Sequence, residues 1–338
     1  MSRVAVVLAT YNGEAYVSEQ LESIARQTVP PDVVLVSDDG STDSTVQLAR
    51  EFMDRHPELL VRVMSHPAPS GVAGNFQWAA MQAATGWSEV PGADWLVLAD
   101  QDDWWLPGKL EALRAVITRH PDALMVHSDA LLVDDGGNSL GMTVLESLRV
   151  TEGEKKNLLR GRGLRALVRR NLVTGQTAMI HRDLLTLAGD IPPGWLHDEW
   201  WALIAASHER LVFTPQILQN YRQHASNQVG ATRSGVQRLL ERWSEPQEDF
   251  RARHHLRHQG LATVLAEQGD LLPEGSIRLL EGRLTHYAWQ ATLPSSRILR
   301  IGPVVLRVLR GDYRRFRRGL FDALRDLLQP GTWPTSSR

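Results

Sequence analysis

No cysteine occurs among the 338 residues. This excludes disulfides, thiolate metal sites and a cysteine nucleophile, and it fits a reducing cytosol. No segment approaches the ~18 uninterrupted apolar residues of a membrane span. The amino-terminal MSRVAVVLATYNGE has too short an apolar run for a secretory signal and reads as a first strand. No Gly-x-Gly-x-x-Gly follows that strand, which argues against a dinucleotide site of the Rossmann type, and no Gly-Lys-Ser/Thr supports a kinase or NTPase. Internal repeats and low-complexity tracts are also missing. The expectation from these absences is a cytoplasmic protein.

What is present is ordinary in bulk. Hydrophobic residues at 43% and charged residues at 22% describe a soluble globular chain long enough for one large or two modest domains. The net charge of −2 hides an asymmetry, because residues 297–318 hold eight arginines against one acid, Asp312, leaving −9 for the remainder. Such a segment suits an anionic surface.

Strand-like runs at Val4–Thr10, Val33–Ser37, Val61–Ser65, Trp95–Ala99 and Ala123–His127 alternate with helical patterns at Ala15–Gln27, Ser44–His56, Gly74–Thr85 and Pro107–Arg119. This rhythm predicts an α/β fold, a mostly parallel sheet with helices on both faces. A Gly-rich turn after about 136, a basic helix over Lys155–Arg170, a strand near Gln176–His181 and a helix over Leu196–Ser207 follow. Beyond about 231 the pattern is helical only.

In such a sheet, ligands sit at the carboxyl ends of the strands. The first strand ends in Thr10-Tyr11-Asn12, the second in Asp38-Asp39-Gly40-Ser41, and the fourth in Asp100, Gln101, Asp102 and Asp103. A buried strand rarely ends on three carboxylates, because like charges repel and each loses hydration. A divalent cation bridging to a diphosphate would resolve that conflict. An Asp capping a helix at Pro107 would explain Asp103 alone. Asp38 and Asp39 have the chemistry to accept hydrogen bonds from a base or ribose, and Ser41, Thr42 and Asp43 equally suit a helix start.

The segments ATYNGEAYVSEQLESIARQT, VSDDGSTD and LADQDDWWLPGKL together resemble a family 2 glycosyltransferase of the GT-A fold, over about residues 3–230. The resemblance extends through VTGQTAMIHRDLL, LHDEWWALIAAS and QNYRQHASNQVG, the last resembling a closing loop of bacterial rhamnosyltransferase-like members, and ADQDDWW with HDEWW tilts it toward that subgroup. Gln176 departs from the smaller or sulfur-containing residue expected after Thr174-Gly175, which touches acceptor fit more than catalysis.

The resemblance implies a GT-A domain over 1–230, with a nucleotide-sugar half to about 130 and an acceptor half over 131–230, followed by a helical, Arg-rich extension over 231–338. It implies nucleotide-sugar contacts from Thr10, Tyr11, Asn12, Glu14, Asp38, Asp39, Asn75, Asp100, Gln101 and Arg222. A cation, Mg²⁺ or Mn²⁺, would be held by Asp102 and Asp100, with His224 a third ligand or a diphosphate donor. Asp198 would be the general base of an inverting transfer, most simply of L-rhamnose from a deoxythymidine diphosphate donor. A helix cap at Asp198 and a base at Glu199 are the competing readings. Trp105, Thr174, Gly175 and Trp200 would face the acceptor, since sugar C–H faces pack on aromatic rings, although one Trp of each pair is expected in the core.

The stretch from Ile298 to Leu328 alternates apolar and basic residues and reads as a basic amphipathic segment lying on an anionic membrane. The expected partners are therefore a nucleotide-sugar donor, a glycan or lipid-linked glycan acceptor and, through 297–328, the inner face of the cell membrane. Nucleic acid is not expected, for no nucleic-acid motif accompanies the arginines, and homo-oligomer formation is left open. The rival readings are a uridine diphosphate hexose donor, a silent nucleotide-sugar binder, and a scaffold acting through its tail.

Overall fold

The structure is a computed structural model that describes residues 2–88, 90–224 and 247–328, the side chains of 247–253 apart. The expected division near residue 230 lies outside the described residues.

Nine strands form one sheet: β1 Val4–Thr10, β2 Val33–Asp38, β3 Val61–Ser65, β4 Trp95–Asp100, β5 Trp104–Trp105, β6 Met125–Val133, β7 Ser139–Thr143, β8 Ala178–His181 and β9 Leu211–Arg222. Their order is β3-β2-β1-β4-β8-β6-β9-β5, with β7 on β6. The first four are parallel. The parallel expectation holds there, whereas β8 runs antiparallel to both neighbours and only β6 and β9 are parallel beyond it.

Helices α1 Val17–Ala25, α2 Thr45–Arg55, α3 Gly71–Thr85 and α4 Lys109–Arg119 connect the first strands. The strands are apolar along their length because both sheet faces are covered. Alternate residues part to opposite sides: Ala5, Val7, Leu96 and Leu98 pack with Phe76, Ala79 and Ala83 of α3. Val4, Val6, Leu8 and Val97 pack with Leu21 and Ile24 of α1, Phe52 of α2 and Leu113 of α4.

The expected basic helix over Lys155–Arg170 is broken. Helix α5 covers Glu152–Leu159, and a separate turn of helix covers Leu164–Leu167. Gly161 between them takes φ +70°, which ends a right-handed helix. The expected helix at Pro107 begins at Lys109 with no side-chain cap. Asp103 instead accepts from the Arg222 backbone N–H at 3.0 Å. Helix α6, His197–Ser207, crosses beneath the sheet.

After the undescribed segment come α7 Gln247–Gln268, α8 Glu274–Ala291, α9 Arg297–Leu309, a short helix Asp312–Phe316, and α10 Leu320–Leu328. Leu261, Val264 and Leu280 join the main core. Val304, Tyr313 and Ala323 form a small core of their own.

Candidate active site

Register puts the polar strand ends level. Thr10 lies opposite Asp38, and Ala9 lies opposite Asp100. Because β8 is antiparallel to β4 with Met179 opposite Val97, the turn entering β8 returns to the end of β4. That turn is a 3-10 helix, Gly175–Thr177, in place of the strand expected from Gln176. On the far side, β9 pairs with β5 and brings Arg222 and His224 onto the acidic loop.

Ligand oxygens of Asp100, Asp102 and Asp103 all lie within 4.8 Å of one another. Burial, then the charges of Asp102 and Asp198, raise the Asp100 carboxyl to about 8, with Lys109 opposing. Among the described residues no hydrogen-bond donor reaches the Asp100 side chain. His224 Nε2 stands 2.8 Å from Asp102 Oδ2, and its ring stacks on Tyr16 with centroids 4.7 Å apart. Two half-buried carboxylates and an imidazole, one carboxylate lacking donors, are a donor set that a divalent cation fits. Asp103 is different. It is wholly buried and takes the Arg222 N–H and Gln219 Nε2, so it supports the loop from behind.

Part of the positive charge that the acidic strand end demands comes from Lys109, which pattern reading missed. Its buried ammonium donates to the Gln176 carbonyl at 2.8 Å and to Gln219 Oε1, and it rests 4.0 Å over the Trp105 ring. Burial pushes this amine well down, while Asp103 and Asp100 hold it up. Nothing in the local pattern distinguishes a buried lysine from a solvated one.

Asp198 is the second residue of α6, not its cap, since Leu196 holds that place. Its Oδ1 accepts from the Glu199 N–H at 2.7 Å, and its Oδ2 accepts from Asn171 Nδ2 at 3.3 Å. Burial, then the charge of Glu199, raises its carboxyl to about 7, opposed by the N–H groups of Glu199 and Gly175 and the Asn171 amide. Glu199 itself pairs with Arg257 at 3.0 Å. Gly175 leaves no room for a side chain, since a Cβ there would meet His197 Nε2 at 2.5 Å. Thr174 closes the turn through its carbonyl, which accepts from Thr177.

Several of the residues expected to contact the ligand also make hydrogen bonds within the fold. Asp38, 2% exposed, accepts from Thr10 Oγ1, Gly40 N–H, Ser41 N–H and Ser41 Oγ, which fills its acceptor sites. Asp39 takes the N–H groups of Ser70 and Gly71 at 2.9 and 2.8 Å, tying down the start of α3. Asn75 spends both ends of its amide on Ser37. Gln101 clamps the Tyr11 backbone N–H and carbonyl at 2.8 and 3.0 Å. Glu14 accepts from Ser44 N–H at 3.0 Å, and Asn12, at φ 47°, accepts from Thr42 N–H at 2.9 Å. Of the first segment, Tyr11 presents an exposed aromatic ring, 52% accessible, beside the exposed Asn12 and Glu14.

Arg222 is not a free phosphate ligand. Its guanidinium donates to the carbonyls of Asp102 and Asp135 and pairs with Glu19, between the rings of Tyr16 and Trp104. Trp105 is 3% exposed and packs with α1 and α4. Trp200 is fully buried, its Nε1 donating to the Ala188 carbonyl at 3.0 Å, and Trp201 is buried beside it. Both tryptophans expected at the acceptor are therefore core. The apolar cluster around α6 surrounds the helix on all sides, which a two-sided pattern does not reveal.

Residues 5–182 match the model of the family described as glycosyl transferase family 2. The uncharacterized protein Rv1520 of Mycobacterium tuberculosis is 26% identical over 273 residues, 80% of this chain and 68% of its own. The dTDP-rhamnosyl transferase RfbG of Shigella flexneri is 32% identical over 104 residues, 31% of this chain and 34% of RfbG. The poly(ribitol-phosphate) beta-N-acetylglucosaminyltransferase TarS of Staphylococcus aureus is 31% identical over 135 residues, 39% of this chain and 21% of TarS. The crystal structure of TarS 1-349 in complex with UDP-GlcNAc superposes with a TM-score of 0.55 at 16% identity, covering 96% of this chain and 89% of that one. Of the longer TarS crystal structure, this chain spans 43%.

Proposed function

The chain belongs to glycosyl transferase family 2, and from that premise we propose that it moves a sugar from a nucleotide donor to a glycan acceptor with inversion, Asp198 acting as the general base. The observation that carries this reading is the approach of two kinds of carboxylate. Asp100 and Asp102 stand at the end of β4, and Asp198 is near enough for its charge to act on Asp100.

Asp102, Asp100 and His224 would hold Mg²⁺ or Mn²⁺. When bound, the cation supplies positive charge against the diphosphate leaving group. Gln219, itself held by Lys109, and the Arg222 N–H fix Asp103 behind the loop, leaving Asp100 and Asp102 as the outer pair. Asn171 and the Gly175 N–H orient Asp198. A carboxyl titrating near neutrality suits removal of a proton from an acceptor hydroxyl. One base and in-line attack are enough for inversion. Residues 1–230 would form this catalytic unit, and the helices after 231 an extension to it.

The donor proposed is dTDP-L-rhamnose, supported by the likeness to RfbG over part of the chain. A uridine diphosphate N-acetylhexosamine is the second reading, favoured by the likeness to TarS. The acceptor would be a growing surface glycan, free or lipid-linked. Calorimetric titration of both donors, each with and without Mn²⁺, tests these points together. Metal-dependent binding of the rhamnose donor is expected, preference for the uridine donor removes rhamnose alone, and no binding of either with metal present removes the transferase reading.

The extension is also proposed to rest on an anionic membrane. Among the described residues no helix is long and apolar enough to cross one. Along α9, however, Ile298, Leu299, Ile301 and Leu309 are exposed, as are Leu320 and Leu324 of α10. Arg300 and Arg325 turn inward, and Arg297, Arg310, Arg314 and Arg315 are exposed cations nearby, a pairing of apolar and basic groups that an anionic interface takes up.

A further inference from the structure

Between α6 and the carboxyl-terminal helices lies a cavity of about 690 Å³. Seven of its lining residues are arginines and two are acidic. Arg257 has Glu199 at 3.0 Å, and Arg317 has Asp322 at 3.3 Å. Arg283 has neither. Among the described residues no carboxylate or carbonyl accepts from its guanidinium, which stands 5.6 Å from the Trp195 ring. Burial, then the neighbouring Arg257 charge, pushes Arg283 down to about 9, with Glu199 opposing. A guanidinium does not give up its proton at neutral pH, so that strain is a demand for an anion. The His286 ring, 2% exposed, has no partner at either nitrogen among the described residues.

The cavity also touches the base. Asn171, which donates to Asp198, and Glu199, the next residue in the chain, both line it. A charge held there sits beside the amide that donates to Asp198. We propose that this cavity binds a phosphate group carried by the acceptor. Phosphate fits better than carboxylate, because the Arg283 fork matches its oxygens bidentately and its larger charge also offsets the arginines around it, although Arg169 and Arg170 already pair with Glu154. The volume is too large for phosphate alone and leaves room for an attached sugar against Trp195 and Tyr287. This inference rests on the transferase reading for the word acceptor, and on the cavity itself for the anion.

The test is calorimetric titration of the full chain with inorganic diphosphate in EDTA, which keeps the proposed cation site from contributing. Binding is expected, weakened about tenfold in Arg283→Gln and less in Arg283→Lys, which keeps the charge but loses the fork. Diphosphate should raise the melting temperature of the parent and leave Arg283→Gln unmoved. Metal-dependent nucleotide binding should be the same in all three proteins. Absent diphosphate binding, or equal binding by Arg283→Gln, overturns the site even where nucleotide still binds. Loss of nucleotide binding throughout overturns the transferase reading and leaves the diphosphate result to judge the cavity. Phosphatidylglycerol vesicles, with phosphatidylcholine as control, separate the sources. If Arg283→Gln releases the vesicles, the phosphate is a lipid headgroup; if it still binds them while losing diphosphate, the phosphate belongs to a soluble glycan.

Discussion

His224 Nε2 and Asp102 Oδ2 stand 2.8 Å apart although 122 residues separate them. The sheet makes this contact. Strand β5, directly after the acidic loop, pairs with β9, so the end of β9 runs back along Asp102. The imidazole is thereby placed against Asp102, and from there the proposed role as a further cation ligand is testable. His224→Ala is expected to weaken Mn²⁺-dependent nucleotide binding about 10- to 100-fold, and Asp102→Asn by at least as much. Titration of the nucleotide at several Mn²⁺ concentrations reads it. A ring that served only to stack on Tyr16 would instead lower the melting temperature and leave the metal dependence intact.

Asp198 joins two readouts. As a general base it must be ionised, so kcat/KM should rise with pH and level off above about 7, where its carboxyl titrates. Asp198→Asn should lower turnover by about 10²–10⁴-fold with nucleotide binding unchanged. Asn171→Ala removes a donor that favours the ionised carboxylate, so the acid limb should move to higher pH by up to about one unit. The same carboxyl affects stability with a definite sign. Its folded value lies above the ordinary one, so the native state holds more protons between about 4 and 7. Its contribution is full below that window and is lost as pH rises through 7. Asp198→Asn should therefore gain on the parent in unfolding free energy from pH 5 to pH 8, by about 1–4 kcal/mol. A difference independent of pH would remove the assignment.

Arg222 tests structure against ligand binding. Its guanidinium, 5% exposed as a residue, joins the acidic loop, the hairpin carbonyl of Asp135 and Glu19 of α1. Arg222→Ala leaves the Asp102 and Asp135 carbonyls without their donor, Glu19 being half exposed, and should cost about 1–3 kcal/mol of stability. Arg222→Lys should recover only part, because an ammonium cannot reach three acceptors in the plane of a fork. Denaturant unfolding measures both. An Arg222 that bound the diphosphate would instead leave stability near the parent and raise the donor KM.

Sequence pattern reached the parallel half of the sheet because those strands are buried on both faces and end abruptly in polar residues. It placed the polar edge, since strand ends in such sheets are fixed by chain direction. It did not reach β9, whose Leu211–Arg222 run mixes Pro215, Gln216 and Gln219 with apolar residues and pairs through register shifts. Without β9 the convergence of Arg222 and His224 on Asp102 has no local signal. The structure gives Asp38, Asn75 and Gln101 partners within the fold, and buries Trp200, for one reason that pattern could not show. A polar or aromatic residue at a ligand edge also has backbone neighbours to satisfy, and only the three-dimensional list of donors tells which use it serves. Asn171 and Lys109 went unseen because a single amide or ammonium carries no periodicity.

The carboxyl-terminal helices separate membrane contact from folding. Deleting 297–338 would be a poor test, because Asp326 accepts from Gln290 at 2.6 Å and from Tyr313 at 2.7 Å, and the Arg317 carbonyl accepts from Arg169. Removing these contacts would unfold neighbouring helices. Ile298 and Leu309, 78% and 79% exposed, contribute nothing comparable to the interior. The double substitution Ile298→Asp, Leu309→Asp should therefore leave the unfolding free energy within about 1 kcal/mol of the parent. It should nevertheless reduce binding to phosphatidylglycerol vesicles at least tenfold, because it takes away apolar burial and adds two charges that the anionic surface repels. Sedimentation with vesicles at low and at high salt reads the two contributions. The arginines should make parent binding fall as salt rises, while binding to neutral vesicles should be weak at any salt. Equal sedimentation of parent and variant would mean that this apolar face does not meet lipid.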